Sequence, residues 1–155
     1  MPNLTAQDKK LLQILQRDGK VNTQALAEQV GMSPSPCWRR LRKLEETGVI
    51  ERYVALLDAK KLDLNARAYV HVSLLDHTEE TINTFDNFVR DEPQIIECCA
   101  ITGADDYLLK VIAADPEGLE QFILQKILRL GVVRSSTTHF VLGQKKYSTA
   151  LPLGL

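Results

Sequence analysis

The stretch Ser33–Ile50, SPSPCWRRLRKLEETGVI, decides the fold of the first third of the chain. Ser33 is a favourable N-cap residue, and Pro34 suits the first helical position, where a backbone N–H has no intrahelical partner. Three apolar residues recur at helical spacing and form the predicted buried stripe: Cys37, Leu41 and Leu44. The basic residues left on the opposite side are Arg39, Arg42 and Lys43. The stretch therefore predicts a helix that starts sharply, ends at Gly48 and has a basic outer face.

Two shorter helices are predicted before this stretch. Thr5 can cap the first, with Asp8 at the capping-box position, and Asn22 or Thr23 can cap the second. Their apolar residues also lie at helical spacing: Leu11, Leu12 and Leu15 in the first helix, and Leu26, Ala27 and Val30 in the second. After the third helix, Val49–Leu57 is predicted to form a strand or a short hairpin. Three helices with a tight turn and a following strand indicate a winged helix-turn-helix.

The third helix of such a unit enters the major groove of double-stranded DNA, with its first residues near the base edges. Arginine suits both guanine and phosphate through its fork of donors. A solvated helix face is the alternative; the basic residues alone favour it, but the preceding helix and turn favour DNA. Trp38 fits a core anchor and a backbone contact equally well. The candidate DNA-binding residues are Ser33, Ser35, Pro36, Trp38, Arg39, Arg40, Arg42 and Lys43.

The composition of the whole chain sets limits on this prediction. The 155 residues carry a formal net charge of −1, so any binding of nucleic acid depends on a local basic patch. Three cysteines do not make a disulfide framework and suit a reducing compartment. The sequence shows no signal-peptide core and no apolar run of membrane length. We therefore expect a cytoplasmic protein without a membrane partner.

A second pattern begins at Ala66. The segment ARAYVHVSL alternates apolar and polar residues, as a half-buried strand does. Thr78 can cap one helix, and Asp115 with Pro116 can start another. The other predicted strands are QIIECCAIT, YLLKVIAA and Ser135–Leu142. The order β-α-β-β-α-β indicates a ferredoxin-like domain, so the predicted fold class is α+β.

Both helices of a ferredoxin-like domain cover the same face of the sheet and leave the other face open. Yet the central strands are apolar on both sides, with Leu108 next to Leu109 and Cys98 next to Cys99. A large apolar surface left open is unusual in a monomer. We therefore expect the open face to be buried against a second copy of the chain. In a dimer, paired recognition helices could read two half-sites one helical turn apart.

The order of elements and two motifs, MSPSPCWRRLRKLEETGVI and ITGADDYLLKV, resemble the Lrp/AsnC (feast/famine) transcriptional regulators over nearly the whole chain. With this resemblance we expect a DNA-binding domain over residues 1–57, a linker over 58–64 and a ferredoxin-like domain with a C-terminal tail over 65–155. The resemblance implies that the second domain binds an amino-acid effector. It also implies that dimers assemble further, into a tetramer or an octamer. Trp38 and the ending KKYSTALPL are similar to a cysteine-responsive branch of the family.

The candidate ligand site is less sharply defined by the residues alone. An α-amino acid needs an anion for its ammonium group and donors for its carboxylate. The motif supplies two acids beside a glycine, and the last strand supplies four hydroxyls. Without the resemblance, a plain β-turn and a β-prone edge strand are the simpler interpretations. The candidate ligand-binding residues are Thr102, Gly103, Asp105, Asp106, Tyr107, Ser135, Ser136, Thr137 and Thr138.

Other functions have weaker support from the sequence. It contains no dinucleotide fingerprint, P-loop, zinc-protease motif or nucleophile elbow, so no enzymatic activity and no cofactor are expected. Within the resemblance, the sirohaem decarboxylases share the two-domain layout and remain an alternative. A redox sensor based on Cys98 and Cys99 is another alternative, although their mainly apolar neighbours favour core packing. The three histidines, His71, His77 and His139, show no metal-ligand spacing.

Overall fold

The computed structural model describes residues 4–154, so residues 1–3 and 155 of the predicted domains lie outside it. The chain divides into two compact units. The helical unit contains the residues up to Leu56 together with the tail from Lys146, and the sheet unit is Leu57–Lys145. We had assigned the tail to the second domain, but the structure places it with the first. Among residues 4–154, no helix has the length and apolarity needed to cross a bilayer.

The helical unit has the three predicted helices: α1 is Ala6–Leu15, α2 is Thr23–Val30 and α3 is Pro34–Glu46. Thr5 and Asp8 form the predicted capping box of α1. Asn22 is the cap of α2 and accepts a hydrogen bond from the N–H of Ala25. Ser33 holds the N-cap position of α3, although its side chain accepts no capping bond from the described residues. Three-helix packing buries an apolar cluster: Leu11, Leu12, Leu26, Ala27, Val30, Cys37 and Leu44.

The predicted strand or hairpin after α3 is wrong. Val49–Leu57 follows α3 as irregular backbone and pairs with no strand of the described chain. The segment is instead fastened to α3: the N–H of Ile50 bonds to the carbonyl of Leu44, and the Tyr53 hydroxyl donates to Glu45 at 3.0 Å. A strand needs a partner for its backbone groups, and this unit supplies only helices. Within residues 4–154, the helix-turn-helix of the helical unit is therefore followed by an irregular segment in place of the predicted strand.

The C-terminal tail completes the core of the helical unit. The side-chain amide of Gln16 donates to the carbonyl of Leu151 and accepts from its N–H, so one side chain satisfies both backbone polar groups of Leu151. Leu153 packs against the apolar cluster of the three helices. The tail therefore acts as a fourth element of this unit.

The sheet unit has the predicted β-α-β-β-α-β order. After a 3₁₀ turn at Ala59–Leu62, its elements are β1 at Ala66–Leu74, α4 at Glu79–Asp91, β2 at Ile95–Ala100, β3 at Tyr107–Ala113, α5 at Pro116–Phe122 and β4 at Val133–Phe140. The strands lie in the order β2-β3-β1-β4, and all neighbours are antiparallel. The predicted last helix changes form within its length, because α5 continues into a π-helical turn at Ile123–Ile127.

The two faces of this sheet differ as predicted for β1. Ala68, Val70 and Val72 are fully buried under the helices together with Leu109, whereas Leu108 lies on the other face. We had expected a uniformly apolar open face, but the structure shows a mixed one. It combines the apolar or aromatic side chains of Tyr69, Leu108 and Ile112 with the charged side chains of Arg67 and Lys110.

Candidate nucleic-acid interface and ligand site

The outer face of α3 is exposed along its length. Trp38 has 52% of its surface exposed, so the structure does not support its interpretation as a core anchor. Cys37 and Leu44 are buried on the opposite side, as the helical spacing predicted. Around Trp38 the exposed candidate residues are Ser33, Ser35, Arg39, Arg42 and Lys43, while Pro36 is half-buried. The helix thus presents an aromatic ring, hydroxyls and cations on one surface.

The basic residues of this face differ in their partners. Arg42 lies over the Trp38 ring, 5.8 Å from its centre, and its guanidinium is 3.8 Å from Glu45 and 3.7 Å from Glu46. Within residues 4–154, Arg39 and Lys43 form no ion pair. Their charges are therefore available to an external anion, whereas part of the Arg42 charge is already balanced on the helix.

Arg40 faces a different direction. Its Nη1 donates to Asp8 Oδ1 at 3.0 Å and lies 3.3 Å from Thr5 Oγ1. Burial alone would raise the pKa of Asp8, but hydrogen bonds from Thr5 and Arg40 outweigh it and leave that pKa below its usual value. Arg40 thus joins α3 to the capping box of α1.

The acidic turn between β2 and β3 has the geometry that its glycine suggested. Gly103 has φ of 128°, a value that L side chains rarely adopt. Asp106 Oδ2 accepts the N–H of Leu74 at 2.8 Å, and Oδ1 lies 2.9 Å from His77 Nε2. The Leu74 N–H, followed by the His77 ring, lowers the pKa of Asp106. Asp106 therefore fastens the turn to the end of β1.

Asp105 is also engaged, on the open face of the sheet. Its Oδ1 accepts the hydroxyl of Ser73 at 2.9 Å, and its Oδ2 is 3.3 Å from His71 Nδ1. The rings of His71 and His139 meet edge to face with centres 5.3 Å apart. Asp105, two histidines and a serine thus form a polar cluster beside the turn.

The register of β1 and β4 separates the four predicted hydroxyls into two pairs. Ser135 is paired with Ser73 and Thr137 with His71, so these two lie on the open face near Asp105. Ser136 and Thr138 are paired with Val72 and Val70, whose side chains are in the core, so they lie on the helix-covered face. Thr138 lines a groove there with Phe140 of β4 and Leu124 of the π-helical turn.

Tyr107 is also separated from the cluster. Its ring lies 4.6 Å from that of Phe85 and packs on the main core, where burial raises the pKa of its hydroxyl. Thr102 and Gly103 remain in the turn itself. The structure therefore brings together Asp105, Asp106, Ser135 and Thr137 at one end of the sheet, and places Tyr107, Ser136 and Thr138 on the other face.

Sequence reasoning missed three residues of this region. Ser73, His71 and His77 are the partners of the two acids, yet we had considered the histidines only as possible metal ligands. A usable signal was present, because His71 and Ser73 are polar residues in consecutive outward positions of β1. The described residues include no group of three side chains arranged to ligate a metal.

The adjacent cysteines lie on opposite faces of β2, as successive residues of a strand must. Cys98 packs against the core, and burial, with smaller contributions from Cys99 and Asp86, raises the pKa of its thiol to about 11. Cys99 is exposed, and its thiol is 3.9 Å from a carboxylate oxygen of Glu97. Because a thiol with a raised pKa is scarcely ionised near neutral pH, the environment of Cys98 does not favour the redox alternative.

Both units match known domain families. Residues 4–51 match the winged helix-turn-helix DNA-binding domain, and residues 67–151 match the Lrp/AsnC ligand binding domain. The chain is 35% identical to the DNA-binding transcriptional activator DecR of Escherichia coli, over 94% of this chain and 96% of DecR. It is 32% identical to the transcriptional regulator AzlB of Bacillus subtilis, over 94% and 93% of the two chains. The similar identities do not single out one branch of the family.

A solved structure extends the match to three dimensions. A transcriptional regulator of Neisseria meningitidis, solved as its complex with L-methionine, superposes with a TM-score of 0.95 at 36% identity, and covers 98% of each chain. An AsnC family regulator of Agrobacterium tumefaciens gives a TM-score of 0.91 at 37% identity, over 96% of this chain and 97% of that one. Fold, domain matches and relatives agree, and the chain belongs to the Lrp/AsnC family of DNA-binding transcriptional regulators.

Proposed function

We propose that this regulator binds DNA through the outer face of α3 and that an L-α-amino acid bound at the acidic turn controls that binding. The observation that carries the first part is the exposed pair of unbalanced cations, Arg39 and Lys43, on a helix whose start is fixed by two prolines. Arg39 lies nearer the start and is placed to reach a base edge. Lys43 lies one turn later and suits a phosphate, which a point charge can hold.

Ser33, Ser35 and Pro36 allow the helix start to approach DNA closely, because their side chains are small. Trp38 provides a flat apolar surface against the sugar-phosphate backbone. Arg42 can exchange its contacts with Glu45 and Glu46 for a phosphate, since surface ion pairs contribute little to stability. The exposed face therefore contains groups for positioning and groups for base recognition.

The ligand part of the proposal rests on the two anions of the turn. Asp106 is our choice for the ammonium partner, because it is the acid that matches the Gly-x-x-Asp-Tyr pattern by which Gly103–Tyr107 resembles the family. Among residues 4–154, the hydrogen-bond partner of its Oδ1 is the ring of His77, which is exposed over 67% of its side chain, so an ammonium group can displace that ring at small cost. Ser135 and Thr137 add hydroxyls on the open face. The L-methionine complex of the Neisseria relative supports an amino acid as the chemical class.

Assembly completes the proposal. The open sheet face carries Tyr69, Leu108 and Ile112, and a second copy of the chain would remove them from water. A ligand held near the strand ends, where two dimers meet, biases higher assembly only if it binds the assembled and separate states with different affinity. The resulting change of geometry would shift paired recognition helices on DNA. No catalytic step is part of this function.

The experiment has two arms. The twenty amino acids are first screened by thermal shift, because a ligand that binds only the native state raises the apparent stability. Each hit is then added to a gel-shift titration with a duplex that the protein itself selects from a random library. A hit that shifts the melting temperature and changes duplex affinity supports the proposal. If no amino acid changes either quantity, the ligand part is wrong; if no duplex is selected, the DNA part is wrong.

A further inference from the structure

Arg40 is the one basic residue of α3 whose guanidinium is turned towards the protein. Successive residues of a helix are about 100° apart, so Arg39 points away from the core whereas Arg40 lies beside the buried stripe. The burial of the two side chains agrees, since Arg40 is half-buried and Arg39 is exposed. Position in the sequence therefore gives adjacent arginines different environments.

The partner of Arg40 is itself unusual. Asp8 is 9% exposed and one of three buried polar residues among those described. Its Oδ2 accepts the N–H and the hydroxyl of Thr5, at 2.9 Å and 2.6 Å, and its Oδ1 accepts Arg40. Both oxygens are thus occupied, and Arg40 is the cation that balances a buried carboxylate. Removing that cation would leave the charge of Asp8 uncompensated.

We propose that Arg40 is a positioning residue for DNA recognition: its contact with Asp8 fixes the rotation of α3 on α1, and Arg40 itself does not touch DNA. The inference rests on the proposed docking of α3. A rotation of the recognition helix by a fraction of a turn would move Arg39 off its base edge. A planar guanidinium suits this task because it fixes direction as well as distance.

The direction in which Asp8→Asn changes DNA affinity distinguishes a DNA contact by Arg40 from a positioning role. If Arg40 contacts DNA, removing an acid from this surface leaves the affinity unchanged or raises it, because the phosphates repel that acid. If Arg40 acts through Asp8, the same substitution weakens binding to the selected duplex, by about fivefold or more. Arg40→Met should weaken it by a similar factor, and the double variant by no more than the larger single effect.

The salt dependence of binding provides a second readout, which a loss of positioning does not change. The plot of log affinity against log salt has a negative slope, and the loss of one phosphate contact makes that slope shallower by about 0.9. We expect Arg40→Met to bind more weakly with the wild-type slope. Arg17→Met is the matched control, because it removes one exposed positive charge from the same unit at the end of α1. Circular dichroism confirms that each variant is folded at the assay temperature.

The outcomes divide cleanly. Weaker binding with an unchanged slope, in both Asp8→Asn and Arg40→Met, supports a positioning role. A shallower slope in Arg40→Met, or wild-type affinity in either variant, overturns it. Should Asp8→Asn fail to fold, Arg40→Met decides the question by affinity and slope together. Failure of the proposed function is distinguishable, because the wild-type protein would then select no duplex at all.

Discussion

The basic face of α3 and the acidic turn of the sheet unit hold their charges in opposite ways. On α3, Arg39 and Lys43 extend from a rigid helix without an ion-pair partner in the described chain. At the turn, both carboxylates are already hydrogen-bonded, Asp105 to Ser73 and Asp106 to the N–H of Leu74. The cations of α3 are therefore available to an external partner without any rearrangement. At the turn, a ligand must first displace an internal hydrogen-bond partner of the carboxylate.

The difference follows from what each backbone needs. A helix satisfies its own N–H and carbonyl groups along its interior, so its side chains are left for external contacts. A turn leaves backbone groups without regular partners, and nearby acids accept from them. The contrast predicts tight but salt-sensitive DNA contacts on α3, and a ligand site at the turn whose selectivity depends on displacing a specific internal group.

The largest expected effect tests the framework that holds the turn. Leu109 is 0% exposed under the helices and Leu108 lies on the open face. Leu109→Asp should therefore unfold the sheet unit, at a cost above about 4 kcal/mol, because it buries an unpaired charge. Leu108→Asp should leave the fold intact and split the proposed dimer. Denaturant titration and light scattering measure the two effects. Wild type that is monomeric at micromolar concentration would contradict the proposed interface.

The next effect is on the free charges of α3. Arg39→Ala should weaken binding to the selected duplex by about 1–3 kcal/mol if it reads a base, and should leave the amino-acid affinity unchanged. Lys43→Ala should give a smaller loss that is equal across duplexes, with a shallower salt slope. Gel-shift titrations at several salt concentrations separate these patterns. Wild-type affinity in Arg39→Ala would rule out the proposed docking.

Asp106 should show the reverse pattern. Asp106→Asn keeps an acceptor for the Leu74 N–H but loses the charge that holds an ammonium group, so we expect calorimetry to show a loss of amino-acid affinity of about 1.5–3 kcal/mol. DNA binding without ligand should stay near wild type. His77→Ala is the matched variant, because it frees Oδ1 of its internal partner and should raise ligand affinity. Unchanged affinity in both variants would move the ligand site away from this turn.

Local signals in the sequence were sufficient for most of the fold. The capping box of Thr5 and Asp8, the two prolines at the start of α3 and the alternation over Ala66–Leu74 act within a few residues, so the sequence alone placed these elements correctly. The strand predicted at Val49–Leu57 failed because pairing depends on a distant partner, which β-branched or aromatic composition does not reveal.

The candidate sites were predicted less completely, for a similar reason. Helical spacing separated the exposed Arg39 from the core, but it could not show that Arg40 meets Asp8, thirty-two positions earlier. The motif placed Asp105 and Asp106 in a turn, but their histidine partners come from β1 and the segment after it. Contacts between segments far apart in sequence have no local signature in a single chain.

The tail is another such contact, and its effect should be moderate. Leu153 packs on the cluster of the three helices, so Leu153→Ser should lower the free energy of unfolding of the helical unit by about 1 kcal/mol. Leu151→Ser is the control, because its side chain is 71% exposed and its bonds to Gln16 come from the backbone. Denaturant titration compares the two variants. Equal stabilities would mean that the packing of the Leu153 side chain contributes nothing to the stability of this unit.

The smallest expected effect compares the units through their acids. Asp8 of the helical unit and Asp106 of the sheet unit both have a pKa below the usual value of 3.8, and so does the exposed Asp76 of the sheet unit. A carboxyl whose pKa is lowered by folding stabilises the native state above the unfolded pKa, and that contribution disappears as the pH falls through the folded pKa. Both units should therefore lose stability as the pH falls below about 3.8, which is the pKa of these carboxyls before folding lowers it.

Substitution should separate these two acid responses. Asp8→Asn should flatten the acid response of the helical unit and leave that of the sheet unit unchanged. Asp106→Asn should reduce the acid response of the sheet unit, to which Asp76 also contributes, and leave that of the helical unit unchanged. Hydrogen exchange at the amides of Leu11 and Val70, one buried in each unit, reports the two responses in a single experiment. If either substitution changed both responses equally, the two units would unfold as one in acid. The two regions would then differ only in the contacts of their side chains. The stabilities of the two units that contain them would respond to acid together.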